Sequence, residues 1–129
     1  MPVTPNDFLL SAEELIKGSR EIDFRNSASR AYYSCYLECR SFAEKLPEVP
    51  TGEGGAHMKV IRKFKEHIVK DESREYDEAV RKIGYQLIQV KSLRTKADYY
   101  IDGDYSRKDA EQTIEMVKRI KDKIVIVDS

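Results

Sequence analysis

Tryptophan is absent, cysteine occurs twice, and the charges cancel, with 23 basic side chains against 23 acidic ones. Each scarcity excludes something. With no net charge there is no global field to draw in nucleic acid or anionic lipid, so any phosphate binding has to be local. Two cysteines, Cys35 and Cys39, are too few for a secreted disulfide framework. No charged-then-apolar leader opens "MPVTPNDFLL", so a cytoplasmic location is expected. The apolar runs are a few residues long, far below the roughly 20 that a membrane span needs, and no membrane partner is expected.

What is present is charge and helical periodicity. At 129 residues, 36% of them charged, the chain fits a single domain, 1–129, long enough to bury a core without metals or disulfides. Thr4, Pro5 and Asp7 make an N-terminal cap signature, followed by Phe8, Leu9, Ala12, Leu15 and Ile16 at helical spacing. Phe24, Ala28, Ala31, Tyr32, Cys35, Cys39, Phe42 and Leu46 then follow three- and four-residue steps, widened by Tyr33, Tyr36 and Leu37 into the stripe of a central helix. "PEVPTGEGG" breaks it. Val60, Ile61, Phe64 and Ile68 mark a shorter helix, and Tyr76, Val80, Ile83, Leu87, Val90, Arg94 and Ala97 keep one register along a long one. Ser106 and Asp109 cap the last. The reading is all-α: an antiparallel up-down bundle of four main helices plus a shorter one, with helices over 5–19, 23–46, 56–70, 73–100 and 106–126.

Arg94 is the anomaly, a guanidinium on an apolar stripe. Such a group keeps its charge and needs a carboxylate, carbonyls or a bound anion to satisfy its donors. Asp98, one turn on, can hold it, so a structural ion pair and an anion site both remain open, with ion-pair reach and at least half burial expected for the two. Other signals are weaker. "RKFKEH" contains Arg62 and His67, but five residues of regular helix turn their side chains apart by about 140°. Cys35 and Cys39 share a face without further ligands for a metal, "GEGG" lacks the rest of a phosphate loop, and Asp102-Gly103-Asp104 lacks the rest of a calcium loop. No metal and no cofactor is expected.

Three motifs in order, "FRNSASRAYYSCYLECRSFAEK", "GGAHMKVIRKFKEHIV" and "LRTKADYYIDGDYSRKDAEQTIEMVKRI", resemble the HEPN superfamily of small prokaryotic helical bundles, over about residues 8 to 126. The nearest group is the single-domain one with Ser-Arg-Ala-Tyr-Tyr, Ala-His and Arg-x-x-Ala-Asp-Tyr. The resemblance implies a bundle that often forms homodimers, encoded beside nucleotidyltransferase-like partners or in toxin-antitoxin and phage-defence loci. It further implies interaction with RNA or a nucleotide phosphate, and in many members a metal-independent endoribonuclease. The ribonuclease branch pairs its arginine with a histidine four to six residues on. Here Arg94 matches the arginine, but Tyr99 stands where that histidine would be, and a tyrosine with reference pKa near 10 is a poor base at neutral pH. The catalytic candidates are therefore Arg94, Tyr99 and His57, the last at the family's Ala-His position. The ligand-binding candidates are Asn26, Arg30, Arg94 and Asp98, with Asn26 and Arg30 on one helix face expected to line the Arg94 groove. Arg30 packed over aromatic rings is the alternative. Tyr33, Tyr36, Tyr99 and Tyr100 are candidates for a dimer contact.

Overall fold

The computed structural model describes residues 2–68 and 73–129. Among these there are five α-helices and no strand: α1 (Pro5–Leu15), α2 (Glu21–Ala43), α3 (Ala56–Lys65), α4 (Arg74–Tyr99) and α5 (Arg107–Val127). The all-α expectation holds. The expected reach of α3 to residue 70 is too long, because the chain leaves the helix at Glu66; residues 69–70 lie outside the described residues. The first helix also stops early, at Leu15, and a turn carries the chain through Gly18 to the next one.

The caps account for where the helices begin. Thr4 accepts from the backbone of Asp7 while the Asp7 carboxylate accepts from Thr4 N at 2.7 Å, and Pro5 occupies a position whose N–H would have had no partner. Ser106 and Asp109 repeat the reciprocal cap at α5, and Ser73 accepts from Tyr76 N at α4. At the start of α2 the Asp23 carboxylate reaches back to Arg20 N.

Helix α2 packs against all four others, α1 and α5 most extensively, while α4 bridges α3 and α5. Its stripe of Ala31, Tyr32, Cys35, Cys39 and Phe42 meets Leu9 and Ala12 of α1, Phe64 of α3, Ile83, Leu87 and Val90 of α4, and Val117, Ile120 and Ile124 of α5 in one core. Both thiols are fully enclosed, and burial pushes Cys35 up to about 12 and Cys39 well above its ordinary value. They are core atoms, not nucleophiles.

A second, smaller cluster of Ala28, Ala97, Tyr105 and Ala110 sits at the carboxyl end of α4. At its edge lies Arg25, only 6% exposed. Its guanidinium donates to the carbonyls of Lys96 (3.2 Å), Ala97 (2.9 Å), Tyr100 (3.1 Å) and Gly103 (2.7 Å). The Lys96 carbonyl also accepts from Tyr100 N, and the others lie in the last turn of α4 and the chain leaving it, where internal donors run out. Glu21 stands 3.7 Å from Arg25 Nε and accepts from Tyr105 N at 2.5 Å, and the Tyr105 ring lies 5.1 Å from the guanidinium carbon. One buried cation thus ties the start of α2 to the end of α4 and to the turn before α5.

At the opposite end of α4, His67 is 2% exposed and its Nε2 stands 2.8 Å from Asp77 Oδ1, an ion-pair distance without hydrogen-bond alignment. Arg81 donates to the His67 carbonyl at 2.8 Å. Beside this contact α3 and α4 approach closely at Gly84, where an added Cβ would come within 2.5 Å of Lys65 N.

Two stability outcomes are expected. Gly84→Ala should destabilise by about 1–3 kcal/mol in urea titration, since Lys65 backbone, not a flexible side-chain end, has to move. Arg25→Ala should cost about 3–5 kcal/mol, the range for removing one partner from a buried charged network. Amide exchange in residues 97–103 should accelerate more than in the core of α2; equal acceleration everywhere would mean that Arg25 does not hold this end locally.

Candidate functional site

The last two turns of α4 present Arg94 and Asp98 toward α2, because both share the register of the buried Leu87, Val90 and Ala97. Arg94 Nε lies 2.7 Å from Asp98 Oδ2, with side-chain exposures of 22% and 23%. Ion-pair reach and more than half burial, both expected from the stripe, are therefore found. The contact is one of charge and not of an aligned hydrogen bond, since Nε has no partner in line. Tyr32 and Tyr99 carry the guanidinium between them, each ring centroid 5.6 Å from its central carbon. No other hydrogen-bond or ion-pair partner reaches Arg94 among the described residues. Its Nη edge is left without protein acceptors. Asp98 is fixed from the other side by Ser29, whose hydroxyl donates to Oδ2 at 3.3 Å.

His57 completes the cluster. It sits in the first turn of α3, its ring stacked on Tyr36 with centroids 3.9 Å apart and planes 4° apart, and its Nδ1 lies 2.5 Å from the Tyr32 hydroxyl. Burial pushes the Tyr32 hydroxyl far above its ordinary range, so it keeps its proton, and which of the two groups donates in this contact follows the imidazole tautomer. Burial first, and then the charges of Arg94 and Lys91, hold His57 below its ordinary value, so at neutral pH the ring is uncharged. The cluster comprises one guanidinium, one carboxylate and a neutral imidazole, with the charge of Lys91 acting on the ring.

The other candidates lie elsewhere. Arg30 is exposed, its guanidinium 6.0 Å from the ring of Phe8, and it lines a hollow with Asp7, Phe8 and Ser11 of α1. Asn26 is exposed and makes no contact with Arg94 among the described residues. The expectation that these two line the Arg94 groove does not match this placement; on α2 it is Ser29, bonded to Asp98, and Tyr32, packed on the guanidinium, that line it. Tyr99 is 64% exposed and touches Arg94 through its ring. Tyr36 is buried under His57, which removes it from any dimer surface, whereas Tyr33, Tyr99 and Tyr100 remain exposed. Arg62 donates to the carbonyls of Gly52 and Glu53 and His67 faces Asp77, so the Arg-x4-His of "RKFKEH" does not form a pair.

Among protein-family models, curated proteins and solved structures, none matches this chain. The site has therefore to be read from its own geometry. No group of three or more His, Cys, Asp or Glu side chains among the described residues could hold a metal ion, and no helix among them is long and apolar enough to cross a membrane.

Two residues of the assembly escaped the sequence. Tyr32 reads as core, and only the tertiary meeting of α2 with α3 gives its hydroxyl a histidine. Arg25, however, shares a stripe with Ala28 and Tyr32 at three and seven residues, the same signal that singles out Arg94.

The depressed titration of His57 carries a sign. A group that binds its proton less well in the folded state contributes stability that is present above its unfolded value, 6.5, and is lost as pH falls below it. The melting temperature should therefore decline through that window, and His57→Phe, which keeps the stacking, should decline less steeply. Parallel profiles for the two proteins would remove His57 as the cause.

Proposed function

We propose that the chain is a HEPN-like binding module whose Arg94 cleft takes a phosphate of RNA or of a nucleotide. The observation that carries this is the guanidinium itself. It is three-quarters buried and gripped between two tyrosine rings, with a single misaligned carboxylate at Nε and no acceptor on its Nη edge. Nε is buried without an aligned partner and the Nη edge has no protein acceptor, so an oxyanion at that edge gives the guanidinium charge-assisted partners that it lacks. The exposed ring of Tyr99 offers a face on which a base can stack.

The sequence resemblance extends this reading to an antiparallel up-down order of the helices, to a homodimer formed through the exposed Tyr33, Tyr99 and Tyr100, and to a nucleotidyltransferase-like partner. It also extends it to a place in a toxin-antitoxin or defence system in the cytoplasm.

The enzymatic alternative, a metal-independent endoribonuclease using Arg94 with Tyr99 or His57, is disfavoured because Tyr99 stands where the ribonuclease branch has its histidine and the Tyr32 hydroxyl already engages Nδ1 of His57.

A short labelled single-stranded RNA, followed by anisotropy across a salt series, tests the reading. Affinity should fall steeply with salt, and Arg94→Ala should weaken it about 10- to 100-fold while the helical circular dichroism stays intact. Incubation of mixed RNA under chelator should yield no fragments with cyclic phosphate ends. If Arg94→Ala unfolds the chain and the wild type shows no measurable affinity, Arg94 is a structural ion-pair member and the binding reading is wrong.

A further inference from the structure

A carboxylate beside an anion recess is an awkward neighbour, because it repels the same charge that the guanidinium attracts. Asp98 is that neighbour. Its Oδ2 stands 2.7 Å from Arg94 Nε and accepts from the Ser29 hydroxyl at 3.3 Å. A side-on arginine–carboxylate fork would spend both oxygens on the guanidinium. Here the second oxygen, Oδ1, receives no hydrogen bond among the described residues, and it is not one of the polar atoms enclosed without a partner. With 23% of the side chain exposed, Oδ1 is an acceptor open to whatever enters the recess.

One residue pair therefore offers donors that lack acceptors, on the Nη edge of Arg94, and an acceptor that lacks a donor, on Asp98. A bare oxyanion satisfies the first and is repelled by the second. An anion with a hydroxyl on the neighbouring carbon satisfies both, since the hydroxyl donates to the carboxylate while the oxyanion accepts from the guanidinium. A ribonucleotide has this combination, its 2′-hydroxyl and 3′-phosphate being on adjacent carbons, and a deoxyribonucleotide lacks the hydroxyl. The third feature is Tyr99, whose ring centroid is 5.6 Å from the guanidinium carbon and which is 64% exposed, so that unlike the enclosed Tyr32 it has a face open to a base. A sugar phosphate with no base would leave that face unused.

We infer that Asp98 is a specificity-determining residue: its carboxylate accepts a hydrogen bond from the 2′-hydroxyl of a ribonucleotide whose 3′-phosphate sits on Arg94, so that the site takes RNA in preference to DNA. This rests on the reading of Arg94 as a phosphate site, and it adds the physical basis for a choice between the two sugars. Ser29, by holding Oδ2, is a positioning residue for that contact. Because Asp98 keeps about a quarter of its side chain exposed, water can stand in for a missing hydroxyl, and the preference is of the order of one charge-assisted hydrogen bond, about tenfold.

The test uses the full chain and amide chemical-shift titration with three probes: uridine 3′-monophosphate, 2′-deoxyuridine 3′-monophosphate and inorganic phosphate. The wild type should bind the ribonucleotide about tenfold more tightly than the deoxyribonucleotide, and inorganic phosphate most weakly. Asp98→Asn keeps the shape of the side chain and removes its charge. It should cut the preference to about threefold, because a neutral acceptor makes about half the bond, and it should leave inorganic phosphate bound no more weakly than before. An Asp98 that served only the fold would instead weaken all three probes in proportion and keep the tenfold ratio, which overturns the inference. Arg94→Ala should weaken all three. Equal binding of the two nucleotides by the wild type, with Arg94→Ala weakening both, removes Asp98 as the selector and leaves the Arg94 site standing; this comparison needs no Asp98 variant to fold. If no probe binds the wild type, or Arg94→Ala leaves all of them unaffected, the Arg94 reading falls and the choice of sugar falls with it. Inorganic phosphate bound as tightly as the ribonucleotide would reduce the recess to a free-anion site and overturn the inference.

Discussion

A guanidinium placed among backbone carbonyls organises this molecule. Helices end with unsatisfied acceptors, and a long helix that closes at an exposed turn would ordinarily leave them to water. Here Arg25, reaching from the second turn of α2, donates to four carbonyls across the end of α4 and the chain beyond it. Its charge also suits the negative end of the α4 dipole. Because Arg25 is buried and fully engaged, the end of α4 cannot slide or fray without stranding a cation. The angular position of Asp98 and Tyr99 is inherited from that constraint. The recess around Arg94 depends on where this turn is held.

Two arginines on two stripes have thereby been put to opposite uses. Arg25 is saturated by carbonyls and has the Glu21 carboxylate nearby, and it faces nothing it could bind. Arg94 has one carboxylate, at 2.7 Å but out of line, and two tyrosine faces that satisfy none of its N–H donors. The contrast lies in partner geometry and not in residue type. The same contrast separates the histidines: His67 is enclosed against Asp77 at the base of α3, whereas His57 is only partly buried and meets the Tyr32 hydroxyl.

The neutral composition acquires meaning at this scale. With 23 charges of each sign, about half of the cations have a carboxylate within ion-pair reach among the described residues, as Lys121 has Glu38 at 2.8 Å and Arg119 has Glu115 at 2.8 Å. Exposed pairs of that kind contribute little to stability. Other cations, Arg30, Lys82 and Lys108 among them, form no ion pair among the described residues, so an unpaired cation does not by itself mark a site.

Amphipathic spacing determined most of the architecture, since a stripe of apolar residues every three or four positions has only one favourable use in water. Thr4, Ser106 and the Gly-Pro breaks set most of the element boundaries for equally local reasons, and Arg94 with Asp98 was legible as a four-residue pair. Boundaries failed where the reason was not local: α3 stops at Lys65, where His67 turns in against Asp77 of α4. The recess was legible only in part. A sequence shows that Tyr32 is apolar enough for a core, but not that its hydroxyl will meet His57 from a separate helix, nor that Ser29 and not Asn26 or Arg30 will face Asp98. Those facts depend on the rotation of α2 about its own axis relative to α1, α3 and α4. That rotation is set by the sum of all core contacts and by the Arg25 clamp, and no window of consecutive residues contains it.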